Sequence, residues 1–125
     1  MAMRVFVCAS AQFDDEAAII AEYDALPHDA QIIQISPRGD NNSAMRVAMD
    51  QGFDCWEETP QPDDAYRFGP RVWRVLMLRV FDSRPDLTLI FRKGRSAALA
   101  EIAQEAADRG LPCRIIDQGR EAKKE

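Results

Sequence analysis

Arg4-Val5-Phe6-Val7-Cys8-Ala9-Ser10-Ala11-Gln12-Phe13-Asp14-Asp15 is the stretch that decides how the rest of the chain is read. Its first six residues are apolar, β-branched or aromatic apart from Arg4, and without a solvent-facing alternation they describe a strand covered on both sides. The polar break after Ala9 is a loop, and Asp14 or Asp15 can cap the helix that follows, where Ala17, Ile20, Ala21 and Leu26 fall near helical spacing up to Pro27. A buried strand, a loop and an amphipathic helix make the first half of a βαβ unit.

The same alternation repeats outward from this unit. Residues 30–35 predict a second strand and 36–42 a polar Pro- and Gly-containing loop. Residues 43–51 predict a helix stopped by Gly52, and 53–57 a short third strand. Residues 58–64 are the least structured stretch, and Pro70 suits the first turn of a helix over 71–81. That helix is apolar around most of its circumference, so it is either deeply covered or a contact between copies, and a homodimer is the expected assembly. Residues 87–91 predict the fourth strand, 96–109 a helix, 113–116 the fifth strand, and 118–125 a charged, frayed tail. Strands and helices that alternate in this way predict an α/β three-layer sandwich around a five-stranded parallel sheet of order 3-2-1-4-5, forming one domain over residues 1–117. In such a sheet a ligand sits at the carboxyl ends of the strands where strand order reverses, between the first and fourth.

The whole-chain numbers narrow the classes of function. At 125 residues one core is expected, and no apolar run approaches the roughly 20 residues that cross a bilayer. With sixteen basic against twenty-one acidic residues the net charge is -5, which argues against broad capture of a nucleic-acid backbone. Cys8, Cys55 and Cys113 are odd in number and lack ligand spacing, so neither a disulfide framework nor a metal site is expected, and a cytoplasmic location fits. No cofactor is implied.

The best binding candidate is Arg92-Lys93-Gly94-Arg95-Ser96-Ala97, a strand end feeding a helix N-terminus. Such a turn presents unpaired N–H groups and partial positive charge, and its cations fit phosphate. Ser10 and Gln12 lie at the mouth of the first strand. Arg38-Gly39-Asp40-Asn41 offers a cation and acceptors for ribose hydroxyls, or serves merely as a tight turn. Cys8 reads as core rather than nucleophile, because the single His28 belongs to the opposite end of the sheet. Glu57, Glu58, Asp63, Asp64 and Glu101 are the carboxylates available for acid–base work, those in the Pro-rich loop being more usually solvated. Both tryptophans, Trp56 and Trp73, read as core, and Phe68 is left open between core and a stacking role.

Residues 3–16, Met3-Arg4-Val5-Phe6-Val7-Cys8-Ala9-Ser10-Ala11-Gln12-Phe13-Asp14-Asp15-Glu16, resemble the opening of the YspA-like branch of the SLOG superfamily, which includes the Smf/DprA and LOG proteins. There a strand runs into paired glycines and Arg-Asp-Phe-Asp-Asp. Arg38-Gly39-Asp40-Asn41 resembles the second block of that pattern. Gly69-Pro70, followed by Arg71, resembles the third, and Phe91-Arg92-Lys93-Gly94-Arg95-Ser96-Ala97 the fourth, in order along the chain. The resemblance implies a Rossmann-like fold that binds nucleotides or nucleotide-derived ligands such as ADP-ribose, NAD or nucleoside phosphates, with Ala9 and Ser10 in place of the paired glycines. In the LOG branch it also implies N-glycosidic hydrolysis, but the catalytic glutamate of that pattern falls on Ala100. Glu101 is turned from it by about 100° on a helix. The expected function is therefore non-catalytic ligand binding as sensor, carrier or sequestering protein. The alternatives are a nucleoside-phosphate hydrolase and a protein-interaction module through the helix at 71–81.

Overall fold

The computed structural model describes residues 2–35 and 43–118. Along these residues run β1 (Arg4–Ala9), α1 (Glu16–Asp24), β2 (Gln31–Ile35), α2 (Ser43–Asp50), β3 (Asp54–Glu58), α3 (Asp64–Phe68), a single 3₁₀ turn (Gly69–Arg71), α4 (Val72–Asp82), β4 (Leu87–Arg92), α5 (Ala97–Asp108) and β5 (Cys113–Asp117). The described strands form one parallel sheet in the order β3-β2-β1-β4-β5, the expected Rossmann-like α/β sandwich.

The central strands are apolar on both sides because helices cover both faces. Val5, Val7, Leu89 and Phe91 point to the α1/α2 layer, while Phe6, Cys8 and Ile90 point to the α4/α5 layer. Right-handed crossovers require this division, since the chain moves one way along the sheet from β1 to β3 and the other way from β4 to β5. Tyr23 is buried between the first two helices, and its hydroxyl donates to the Ala44 carbonyl at 2.8 Å. Local caps fix the helix starts: Asp15 accepts from the Ala18 amide at 3.2 Å, and Ser96 accepts from Leu99 at 3.2 Å.

Three expectations change. Trp56 is not core: it is 56% exposed, because β3 is an edge strand and α4 packs over β2 rather than reaching it. Trp73, by contrast, packs half-buried against the core on the α4/α5 face. The stretch before the helix at 71–81 contains α3, whose Asp64 is buried and held by Arg79 of α4 through both carboxylate oxygens at 2.8 and 3.1 Å. Gln118, expected in the frayed tail, is tied down by backbone and side chain (described below), and residues 119–125 lie outside the described residues. Helix α4 buries Val72, Leu76, Met77, Val80 and Phe81, so most of its apolar circumference is covered within the chain, with Leu78 facing out. Phe68 is 37% exposed, with the Arg67 guanidinium 5.6 Å from its ring centre.

Among the described residues, no helix is long and apolar enough to cross a membrane.

Candidate functional site

Strand order reverses between β1 and β4, which pair through Cys8 with Ile90 and Ala9 with Phe91. From there the chain leaves β1 toward α1 on one face and leaves β4 toward α5 on the other, the divergence at which doubly wound sheets place their ligand crevice. Ser10 joins its two sides. The Ser10 amide donates to the Phe91 carbonyl at 2.9 Å, extending the ladder, and its Oγ accepts from the Lys93 amide at 3.0 Å. The turn after β4 is thereby clipped to the mouth of β1. Below it, Phe13 is buried with its ring centre 5.3 Å from that of Phe91, which holds the β1 loop against the sheet.

Beyond Lys93 the turn passes through Gly94 at φ +74°, where an added Cβ would meet nothing within 4 Å. It then reaches Ser96 in extended backbone at φ -146°. Ser96 accepts from the Leu99 amide through its hydroxyl and from the Ala100 amide through its carbonyl at 3.0 Å, which leaves Ala97 and Ala98 as the first-turn amides of α5 without intrahelical acceptors. Lys93, Gly94, Arg95 and Ala97 are exposed, and among the described residues Arg95 makes no ion pair. Lys93 Nζ lies 4.0 Å from Asp14 Oδ1. The arrangement suits an anion: N–H groups without intrahelical acceptors, a helix N-terminus and two surface cations. Gln12 is exposed in the β1 loop and Ala9 half-buried at the strand end.

Arg92 adds less free charge than its position suggests. Its guanidinium is held by Asp117 of β5 at 2.6 and 3.0 Å, which keeps its pKa above the ordinary arginine value. Next to it the Gln118 amide donates to the Arg92 carbonyl at 2.8 Å. The Gln118 side chain bonds the amide and carboxylate of Asp14 at 2.9 and 2.5 Å. The bond from Gln118, aided by the charge of Lys93, holds the Asp14 carboxyl below the usual carboxylate range. Phe13, Asp117 and Gln118 were not singled out in the sequence. The available signal was position, since in a parallel sheet every residue just past a strand's carboxyl end lies on the ligand side.

The remaining candidates are dispersed. Glu101 is bound through both oxygens by Arg74 of α4, one contact at 2.8 Å, and that bonding lowers its pKa. Glu57 and Glu58 sit on β3, with β2 between them and β1. Arg71, exposed at the start of α4, lies at the same end of the sheet as the crevice because its connection leaves the end of β3. Arg38, Gly39, Asp40 and Asn41 lie outside the described residues. Cys8 is buried, and burial above all, with Cys113 adding, pushes its thiol far up, so no thiolate is available at the mouth. Among the described residues no group of three or more His, Cys, Asp or Glu side chains is arranged to hold a metal.

Fold and site together define a doubly wound α/β domain with a candidate anion site at its switch point. Comparison of the chain with protein-family models, curated proteins and solved structures finds no match.

Proposed function

We propose that the chain binds a nucleotide-derived phosphate ester without transforming it, as a sensor, carrier or sequestering protein, with the phosphate at the β4–α5 turn. The observation that supports this reading is the clip between Ser10 Oγ and the Lys93 amide, which keeps the Gly94 turn and the α5 N-terminus at the crevice edge. Lys93 and Arg95 supply charge, and phosphate accepts from backbone amides there as it does at helix N-termini generally. The ordered blocks that resemble the SLOG superfamily point to the same ligand class. The bidentate engagement of Glu101 and the position of Glu57 and Glu58 on the sheet's edge weigh against hydrolysis.

Calorimetric titration with AMP, ADP-ribose and NAD tests the proposal. Saturable binding of at least one is expected, weakened about tenfold or more in the double variant Lys93→Ala/Arg95→Ala. No heat from any of the three, or binding unchanged in that variant, contradicts it. Chromatography of the same mixtures is expected to show no released base.

A further inference from the structure

The β3 edge carries features that the crevice does not use. Strand β3 (Asp54–Glu58) pairs only with β2, and its outer edge has no partner among the described residues. Such an edge presents a row of N–H and C=O groups that another extended chain can complete. Between β3 and α4 opens a cleft of about 270 Å³, with Ile33, Trp56 and Val80 as its apolar lining. Trp56 is 56% exposed there, on the same face as Asp54, whose carboxylate accepts from its indole N–H at 3.3 Å. An indole left at the mouth of a cleft beside an open strand edge gives an incoming side chain apolar area to cover.

Charge decides the occupant. Asp54, Glu57 and Glu58 lie on the strand, and of the two cations lining the cleft Arg79 is paired with a carboxylate while the Arg4 side chain bonds uncharged groups. The strand's three carboxylates thus outweigh the one lining cation that has no ion pair among the described residues. Arg79 is held by Asp64 at 2.8 and 3.1 Å, and Arg4 donates to Ser83 at 2.7 and 2.8 Å. A second copy fits poorly: antiparallel pairing of β3 with itself about Trp56 would set Asp54 against Glu58 twice, and like charges directly opposite destabilise a sheet. We infer that the β3 edge and its cleft form a docking surface for an extended, lysine- or arginine-rich segment of another protein, added as a further strand with an apolar side chain against Trp56.

The test uses the full chain carrying Trp73→Phe, which leaves Trp56 as the only indole, with its fold checked by circular dichroism. The probe is an eight-residue peptide of alternating lysine and valine. It is expected to shift Trp56 emission to the blue and to saturate, whereas a glutamate–valine peptide of equal length leaves the emission unchanged. Blocking the peptide's hydrogen bonds by N-methylation of alternate residues, in either register, is expected to weaken binding in one register at least tenfold. The double variant Glu57→Gln/Glu58→Gln is expected to weaken it similarly. If Trp73→Phe does not fold, exchange protection of the amides of residues 54–58 in the unaltered protein gives the same readout. The inference is overturned if there is no response at millimolar peptide, if the acidic peptide responds equally, if methylation or charge removal has no effect, or if a Trp56 shift follows protein concentration alone and so reports self-pairing.

Discussion

Replacing Gly94 by alanine isolates the backbone conformation on which the candidate site depends. At φ +74° an L side chain meets its own backbone, at a cost of roughly 1–2 kcal/mol. No neighbouring atom lies within 4 Å of the added methyl, so no steric cost arises from packing. Alanine also restricts the unfolded chain, which offsets about 0.4–1 kcal/mol. The net loss is about 1 kcal/mol. For a chain of 125 residues, the usual unfolding entropy per residue converts this to a fall in Tm of about 4 °C. Gly94→Asn should lose less, since asparagine tolerates the left-handed region better than alanine does. Thermal unfolding followed by circular dichroism measures both variants. An unchanged Tm for Gly94→Ala, or a larger loss for Gly94→Asn than for Gly94→Ala, would refute the left-handed turn and with it the presentation of the α5 amides.

Three further predictions follow from the interior and its rim. Thr88 is fully buried between Phe6 and Cys113, and its hydroxyl has no partner among the described residues. Thr88→Val should therefore raise the urea midpoint by the equivalent of about 1 kcal/mol, and a fall would mean that the hydroxyl is bonded. Asp64 is held below the ordinary carboxylate range, first by its hydrogen bonds from Arg79 and then by the Gln61 amide. A lowered folded pKa adds stability that is complete above the unfolded value and lost as pH falls through the folded one. The gap in urea midpoint between the unaltered protein and Asp64→Asn should thus be largest at pH 7 and shrink below about pH 4, and a gap independent of pH contradicts the pairing. Iodoacetamide at pH 8.5 should label Cys55 and Cys113 before Cys8 in the folded protein, as read by peptide mass spectrometry, and early labelling of Cys8 would show that β1 is not sealed.

The strands were legible because β1 and β4 are apolar on both faces apart from Thr88 and a terminal arginine each, the pattern of strands covered on both sides, and their order followed from the regular alternation with helices. Helix α3 was not legible: Pro60, Pro62, Gly69 and Pro70 surround it, and its anchor is a contact with Arg79 fifteen residues away. Trp56 was misread because composition treats an indole as core, although the expected strand order already put β3 at the edge of the sheet, where the indole is left exposed. At the candidate site the turn from Lys93 to Ser96 and its cap could be read locally. The neutralisation of Arg92 by Asp117 could not, since it depends on the β4–β5 register that sets Asp117 opposite Arg92, one residue beyond the predicted end of the fifth strand.

Amide NMR of the ¹⁵N-labelled protein, titrated with AMP at constant ionic strength, tests the central claim most directly. Saturable shifts concentrated at Ser10 and at Lys93, Gly94, Arg95, Ser96 and Ala97 are the predicted result. Shifts that leave those six amides still and fall elsewhere, or no shifts at millimolar nucleotide, would contradict it.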